Sequence, residues 1–268
     1  MSNYFDRHAL SQPDPDAAPD PLFVRAAARA MQVMSAFHDV DRPLSLGDIA
    51  AITGLDRSTT QRIVHTLRKL GYIKRDRHDR GFVPGVRLYD HIFDAMRMDP
   101  LIQAAVPLLL DLRSRVEERV DLSLVDDTRL IYATRLQPKR EVLHAMLVGL
   151  SVPMSCTSSG WAVLAHLPED DARDILRRSE KRAFTAKTLL EEDAIMERVA
   201  QARSQGYIIA TEQLLPGEIG IAAAVVNAQG TPVGAVTITA ILSDWTETNF
   251  EHAMGPALMQ TVRALSRR

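Results

Sequence analysis

The densest set of side chains able to make directional polar contacts lies in "TGLDRSTTQRIVHTLRKLGYIKRD", residues 53–76. Spaced at about 100° per residue, Arg57, Ser58, Gln61, Arg62, His65, Arg68 and Lys69 fall on one side of a helix, and Thr59, Thr60, Ile63, Thr66, Leu67 and Leu70 on the other. Arginine forks and glutamine amides are the groups that pair bidentately with base edges in the DNA major groove, each good pair giving roughly 1–3 kcal/mol of discrimination. Arg57, Gln61 and Arg62 are therefore candidate base readers, with Ser58, Thr59 and His65 beside them. Arg68 and Lys69 have a second use, because cations in a last turn complement the helix dipole. Lys74, Arg75 and Arg77, followed by His78 and Arg80, suit phosphate or minor-groove contact, which adds affinity without sequence preference.

The whole-chain net charge of -2 hides this segment: between Asp56 and Arg87 nine basic residues stand against three acidic ones, a local excess of +6. Other chemistry is weaker. Cys156, with Ser155, Thr157, Ser158 and Ser159 around it and His144 or His166 as a base, has the side chains of a nucleophilic site. The glycine-serine-glycine elbow of hydrolases is missing, so a buried thiol among capping hydroxyls is the simpler reading and no catalytic residue is expected. The eight histidines show neither His-x-x-x-His nor Cys-x-x-Cys spacing, so no metal or cofactor is expected. A single cysteine suits a reducing compartment, and no run of about 18 apolar residues or secretory leader is present. These features predict a cytoplasmic protein that neither spans a membrane nor enters one.

A solvated amphipathic helix would show the same polar face; the order of elements around it decides. Residues 1–21 include "SQPDPDAAPDP" and read as a flexible tail. "LFVRAAARAMQVMSAF" predicts a first helix from Leu22 to about His38. "SLGDIAAIT" predicts a second, with Ser45 and Asp48 at its start and Gly54 at its end. Asp56 or Ser58 caps the third, which runs to Leu70 and ends at Gly71. "YIKRDRHDRGFVPG" reads as a hairpin with a basic tip. Helix, capped helix, glycine turn, basic helix and basic hairpin are the parts of a winged helix-turn-helix over residues 22–86. Residues 87–119 read as a helical linker broken at Pro100, with Pro107 inside its second helix. Residues 120–268 alternate strand and helix patterns: two strands about a turn at Asp127 and Thr128, a third in "EVLHAMLV", helices in "SSGWAVLAHL", "EDDARDILRR" and "EEDAIMERVAQARSQ", strands in "GYIIATEQ", "IGIAAAVVNAQG" and "TPVGAVTITAIL", and a last helix from Asp244 to Ser266. The fold class is α+β.

"PLSLGDIAAITGLDRSTTQRIVHTLRKLGYIKRD", with its GL-x-RST turn and LxxLGY exit, resembles the DNA-binding domain of IclR-type bacterial transcriptional regulators. "VPMSCTSSGWAVLAHLPEDD" and "ARSQGYIIATEQLLPGEIGIAAAVVNAQGTPVGAVTITA" resemble that family's effector domain. The resemblance implies a GAF-like C-terminal domain that binds a small organic acid, and assembly as a homodimer or dimer of dimers on a double-stranded DNA operator. It places effector contacts at Thr157, Ser158, Ser159 and Gly160 and on paired strands at Ala210, Glu212, Gly220 and Ile221, with His144 and Met146 as pocket walls. Where glyoxylate-type members carry an acidic residue and a Cys or Ser, Ala210 and Gly220 stand here, and Trp161 replaces the usual cation after the glycine. Smaller, less polar walls imply a larger or more apolar effector, such as an aromatic acid. Two other classes stay open: a small-molecule enzyme with a helical appendage, and an oligomerisation module.

Overall fold

The computed structural model describes residues 20–38, 40–138 and 147–266. The chain divides into two compact units, with the boundary between Ala95 and Met96.

In the first unit α1 (Arg25–Ser35) is shorter than its apolar spacing suggests, starting behind Val24 without a side-chain cap. Helix α2 (Leu46–Thr53) opens on a full capping box, in which Ser45 accepts from the Asp48 amide and Asp48 accepts from the Ser45 amide. It closes on Gly54, whose φ of 68° is the left-handed conformation that a residue without Cβ adopts at no steric cost. Helix α3 (Arg57–Lys69) follows at once, and β1 (Ile73–Arg75) pairs antiparallel with β2 (Phe82–Pro84) to make the wing. Leu44 bridges to Phe82 and ties the wing to the start of α2. Val33, Phe37, Leu44, Ile49, Val64, Leu67, Ile73 and Phe82 form the core. Helix α4 (Leu88–Met98) buries none of its residues.

The second unit is built on a six-stranded, wholly antiparallel sheet in the order β5-β4-β3-β8-β7-β6. Its strands are β3 (Arg119–Asp126), β4 (Arg129–Leu136), β5 (Ser151–Pro153), β6 (Ile208–Thr211), β7 (Glu218–Val226) and β8 (Pro232–Ile241). One face carries Val120, Leu122, Ile219, Ile221, Ala223, Val236 and Ile238, against which α5 (Pro100–Val116) and α9 (Glu247–Ser266) pack. Period-two alternation sends the intervening residues to the other face, under α6 (Ser158–Leu164) and α8 (Glu192–Gln205), with α7 (Glu169–Arg178) beside α8.

The segment expected as a linker thus has two fates. Asp99 caps α5, Pro100 occupies its first turn, and Ile102, Ala105, Leu109 and Leu112 are buried in the sheet core. Helix α5 is a core helix of the second unit, whereas α4 has no buried residue. The strand expected in "EVLHAMLV" lies outside the described residues except for Leu147 and Val148, which are in no strand.

Candidate functional site

On α3 the buried residues are Thr60, Val64 and Leu67, with Ile63 half-buried. Thr66 and Leu70, expected inside, are exposed. The apolar stripe centres on the 60–64–67 row, which leaves Thr66 more than a quarter turn away from it, while Leu70 is the C-cap residue just past the helix. Arg57, Gln61, Arg62 and His65 are exposed on the other side, and among the described residues none of the four side chains makes a hydrogen bond or ion pair. Ser58 and Thr59 are differently placed. Asp56 is the N-cap: its carboxylate accepts from the Thr59 amide (2.8 Å), the Ser58 hydroxyl (2.7 Å) and the Thr59 hydroxyl (2.6 Å). Those bonds hold Asp56 well below the usual carboxylate range, the Thr59 hydroxyl contributing most. The hydroxyl protons of Ser58 and Thr59 are thus engaged at the helix start, as the Asp56-x-Ser-Thr order explains, and each hydroxyl keeps only acceptor capacity for another partner.

The wing divides its cations similarly. Arg80 pairs with Asp76 (3.1 Å), which also accepts from the His78 and Arg80 amides and so shapes the tip. Arg75 pairs with Asp79 (3.2 Å) and lies over the Phe82 ring. Lys74 has no polar partner among the described residues, and Arg77 donates only to His78. The unneutralised cations of this unit's basic segment are therefore Arg57, Arg62, Arg68, Lys69, Lys74 and Arg77.

In the second unit a cavity of about 40 Å³ lies between the polar end of the sheet and the start of α6. That is room for two or three waters. Of the residues expected to contact an effector, Thr157, Ser158, Ser159, Ala210, Glu212 and Gly220 line it. Their roles differ. Thr157 caps α6: its hydroxyl donates to the Pro153 carbonyl (2.9 Å) and accepts from the Gly160 amide (3.0 Å). Gly160 is not part of the lining; a Cβ there would stand 2.2 Å from the Met154 carbonyl oxygen, so the glycine answers a packing need. Ile221 is corrected outright. It alternates with Gly220, is fully buried among the residues facing α5 and α9, and its side chain is on the far side of the sheet from the cavity. Glu212 lies one residue beyond β6 with φ 52°. Its carboxylate binds Lys187 (2.5 Å) and the Gly217 amide (2.9 Å), and the Lys187 bond first and the Gly217 bond second hold its pKa below the ordinary value. Thr185 and Thr188 donate to the carbonyls of Glu212 and Gln213, which fastens the 212–217 loop over the cavity. His144 and Met146 lie outside the described residues.

The strongest charges at the cavity carry no motif: Arg119 and Glu218 line it, and Asp121 and Arg135 stand behind Arg119. Arg119, Asp121 and Arg135 form a buried ion network: Arg119 Nε donates to Asp121 (3.0 Å), Arg119 Nη1 to Glu218 (2.8 Å), and Arg135 to both Asp121 oxygens (3.2 and 3.3 Å). Asp121 is fully buried. The Arg135 guanidinium stacks 4.0 Å from the centre of the Tyr132 ring, whose phenol is held protonated by burial first and Asp121 second. Thr237 and Thr239 stand opposite Asp121 and Arg119 across the β3–β8 ladder. A signal existed: polar residues at 119, 121 and 123, and again at 237 and 239, repeat with period two, which in a strand places them on one face. Cys156 is buried beside the cavity, and burial pushes its thiol up to about 12, so it supplies no thiolate at neutral pH. A larger open groove, about 880 Å³, runs along α9 and Tyr207 and holds none of the candidate residues. No helix among the described residues is long and apolar enough to cross a membrane.

Residues 26–77 match the model of the IclR helix-turn-helix domain, and residues 93–267 that of the bacterial transcriptional regulator IclR C-terminal domain. The Pca regulon regulatory protein of Pseudomonas putida is 27% identical over 92% of this chain and 84% of its own. The HTH-type transcriptional regulator XynR of Escherichia coli K12 is 25% identical over 90% of this chain and 97% of its own. Among solved structures, a transcriptional regulator from Rhodococcus sp. RHA1 superposes with a TM-score of 0.78 at 25% identity, covering 91% of this chain and 98% of that one. An IclR homolog from Microbacterium hydrocarbonoxydans complexed with 4-hydroxybenzoate has a TM-score of 0.72 at 24% identity, covering 90% and 98%.

Proposed function

The chain belongs to the IclR family of bacterial transcriptional regulators, and from that premise we propose that it is a sequence-specific DNA reader whose grip on its operator is set by a small organic acid. Arg57, Gln61 and Arg62 on α3 read base edges, with His65 beside them, and Lys74 and Arg77 on the wing hold phosphates. The acid occupies the cavity under α6 and the 212–217 loop, which opens wider to admit it, and shifts the population of binding-competent molecules by preferring that open state. The effector is a compact carboxylic acid, with aromatic acids the first to test, and the controlled genes are those of its catabolism. The relative complexed with 4-hydroxybenzoate supports this choice.

One observation carries the reading: the exposed face of α3 keeps the Arg57 and Arg62 guanidiniums free of hydrogen-bond and ion-pair partners among the described residues, though acidic residues neutralise neighbouring cations on the wing. A solvated helix has no need of that separation. Two half-sites require two reading heads, and the chain works as a homodimer or a dimer of dimers. The uncovered apolar residues of α4, Tyr89, Ile92 and Phe93, support self-association. The test is fluorescence anisotropy on a duplex that the purified protein selects from a random pool. The expected result is at least hundredfold tighter binding to that duplex than to a scrambled one, altered by an organic acid. Equal binding to both, with no response to any acid, would overturn it.

A further inference from the structure

We propose that Arg119 anchors the effector's carboxylate and that Glu218 holds that place while the cavity is closed. The inference rests on the reading that this cavity takes a small acid, and adds which groups select it.

Arg119 is 8% exposed yet lines the cavity. Its two carboxylate partners are unequal. Asp121 has no exposed surface and is clasped by Arg119 and by Arg135, so it stays. Glu218 opens β7 at the end of the 212–217 loop, its side chain is 25% exposed, and its carboxylate is held by Arg119 alone among the described residues. Glu218 is the partner that can leave.

Charge balance says what replaces it. Two guanidiniums, Arg119 and Arg135, face two carboxylates, Asp121 and Glu218. A further anion added to this set would be buried without a counter-charge, which is costly. An anion that takes Glu218's position leaves the buried set neutral, while the Glu218 carboxylate turns toward water. A neutral compound has no such exchange to make, so the site selects monocarboxylates over their amides.

A second observation points to the same place. Thr237, 5% exposed and part of the cavity lining, has a buried hydroxyl with no hydrogen-bond partner among the described residues. A buried polar group left unpaired is destabilising, and it stands opposite Asp121 in the ladder, beside the Arg119 pair. It donates to the incoming carboxylate. Ala210, Leu214, Leu215 and Gly220 give the lining an uncharged stretch that suits an apolar body, and the remaining lining charge, Glu212, is already paired with Lys187.

The experiment is calorimetric titration of the full chain with benzoate, phenylacetate and hexanoate and with the corresponding amides. Glu218→Gln keeps the shape and removes the competing charge. It is expected to bind at least one of the acids tenfold or more tighter than the unaltered chain does, with the amides unchanged. Thr237→Val is expected to weaken the same acid about fivefold, and Arg119→Gln to abolish the preference for acid over amide. Should Arg119→Gln fail to fold, the other two variants decide. The proposal is overturned if Glu218→Gln binds the acids no tighter, or if neither form binds any of them. A neutral compound that then altered DNA binding would leave the regulator reading standing without this anchor. If no small molecule altered DNA binding, the reading of the cavity would fall as well.

Discussion

Gly54 and Gly160 lack side chains for different physical reasons, and the difference is measurable. Gly54 sits at φ 68° with nothing within 4 Å of a built Cβ, so Gly54→Ala meets backbone strain alone, about 1–2 kcal/mol. Gly160 has ordinary helical backbone, but a methyl would press on the Met154 carbonyl at 2.2 Å, and a peptide oxygen cannot rotate away as a side chain would. Overpacking of that kind costs about 1–3 kcal/mol. Both tryptophans, Trp161 and Trp245, belong to the second unit. Urea unfolding followed by tryptophan fluorescence should therefore show Gly160→Ala with a lowered midpoint and Gly54→Ala with none. A shifted tryptophan midpoint in Gly54→Ala would contradict the division into units. The cations separate in the same way. Arg57→Ala or Arg62→Ala should remove about 1–3 kcal/mol from the preferred duplex and little from a scrambled one, while Lys74→Ala should weaken both alike and reduce the salt slope by about 1. Anisotropy at several salt concentrations checks this; equal losses on both duplexes for all three variants would remove the base-reading role.

Helix α4 puts Tyr89, Ile92 and Phe93 on one stripe, 71%, 46% and 64% exposed, and none of its residues is buried. Apolar side chains at i, i+3 and i+4 without a covering element are the surface of an interhelical contact. Burial of two such side chains contributes about 1.5–3 kcal/mol each, so Ile92→Asp with Phe93→Asp should weaken self-association by roughly a hundredfold or more. Sedimentation velocity reads the result, and an unchanged oligomer would place the interface elsewhere. This helix also shows what the sequence made readable. The spacing located α4, just as the capping residues Ser45, Asp48 and Asp56 and the turn glycine Gly54 located α2 and α3, because caps and periodicity are local. What each face packs against is not local. Helix α5 carries the same apolar spacing as a linker helix would, and only the sheet beneath Ile102, Ala105 and Leu109 makes it core. The alternation in β3 and β7 is visible too, yet alternation does not say which face is which: Ile221 faces away from the cavity, and the Arg119–Glu218 pair joins residues 99 apart in sequence, which no local pattern shows. Glu212 was placed on a strand because its positive φ, which turns the chain out of β6, leaves no mark on a glutamate.

A regulator of this kind joins two binding equilibria in one chain, and linkage constrains them whatever the route between the units. If an acid weakens operator binding by some factor, the operator must weaken binding of the acid by the same factor, because both paths end at the same doubly occupied state. A coupling of 1–3 kcal/mol corresponds to about 5- to 150-fold, large enough to read from either side. The acid's affinity should therefore be measured twice by calorimetry, on the free protein and on protein saturated with its selected duplex, and the operator's affinity twice by anisotropy, with and without saturating acid. The two ratios should agree. They should also respond together to Glu218→Gln: if the acid's gain in affinity is the same in free and DNA-bound protein, the coupling stays constant and Glu218 only selects the ligand. If the gain is confined to the DNA-bound protein, the Arg119–Glu218 pair belongs to that state and its opening is the switch. Salt offers an independent handle, since the phosphate contacts proposed for Lys74 and Arg77 would weaken as ionic strength rises while the buried network is screened far less. Raising salt should lower operator affinity steeply and leave the acid's affinity for free protein nearly unchanged; a parallel fall in both would mean that the acid binds on the cationic surface of the first unit and not under α6.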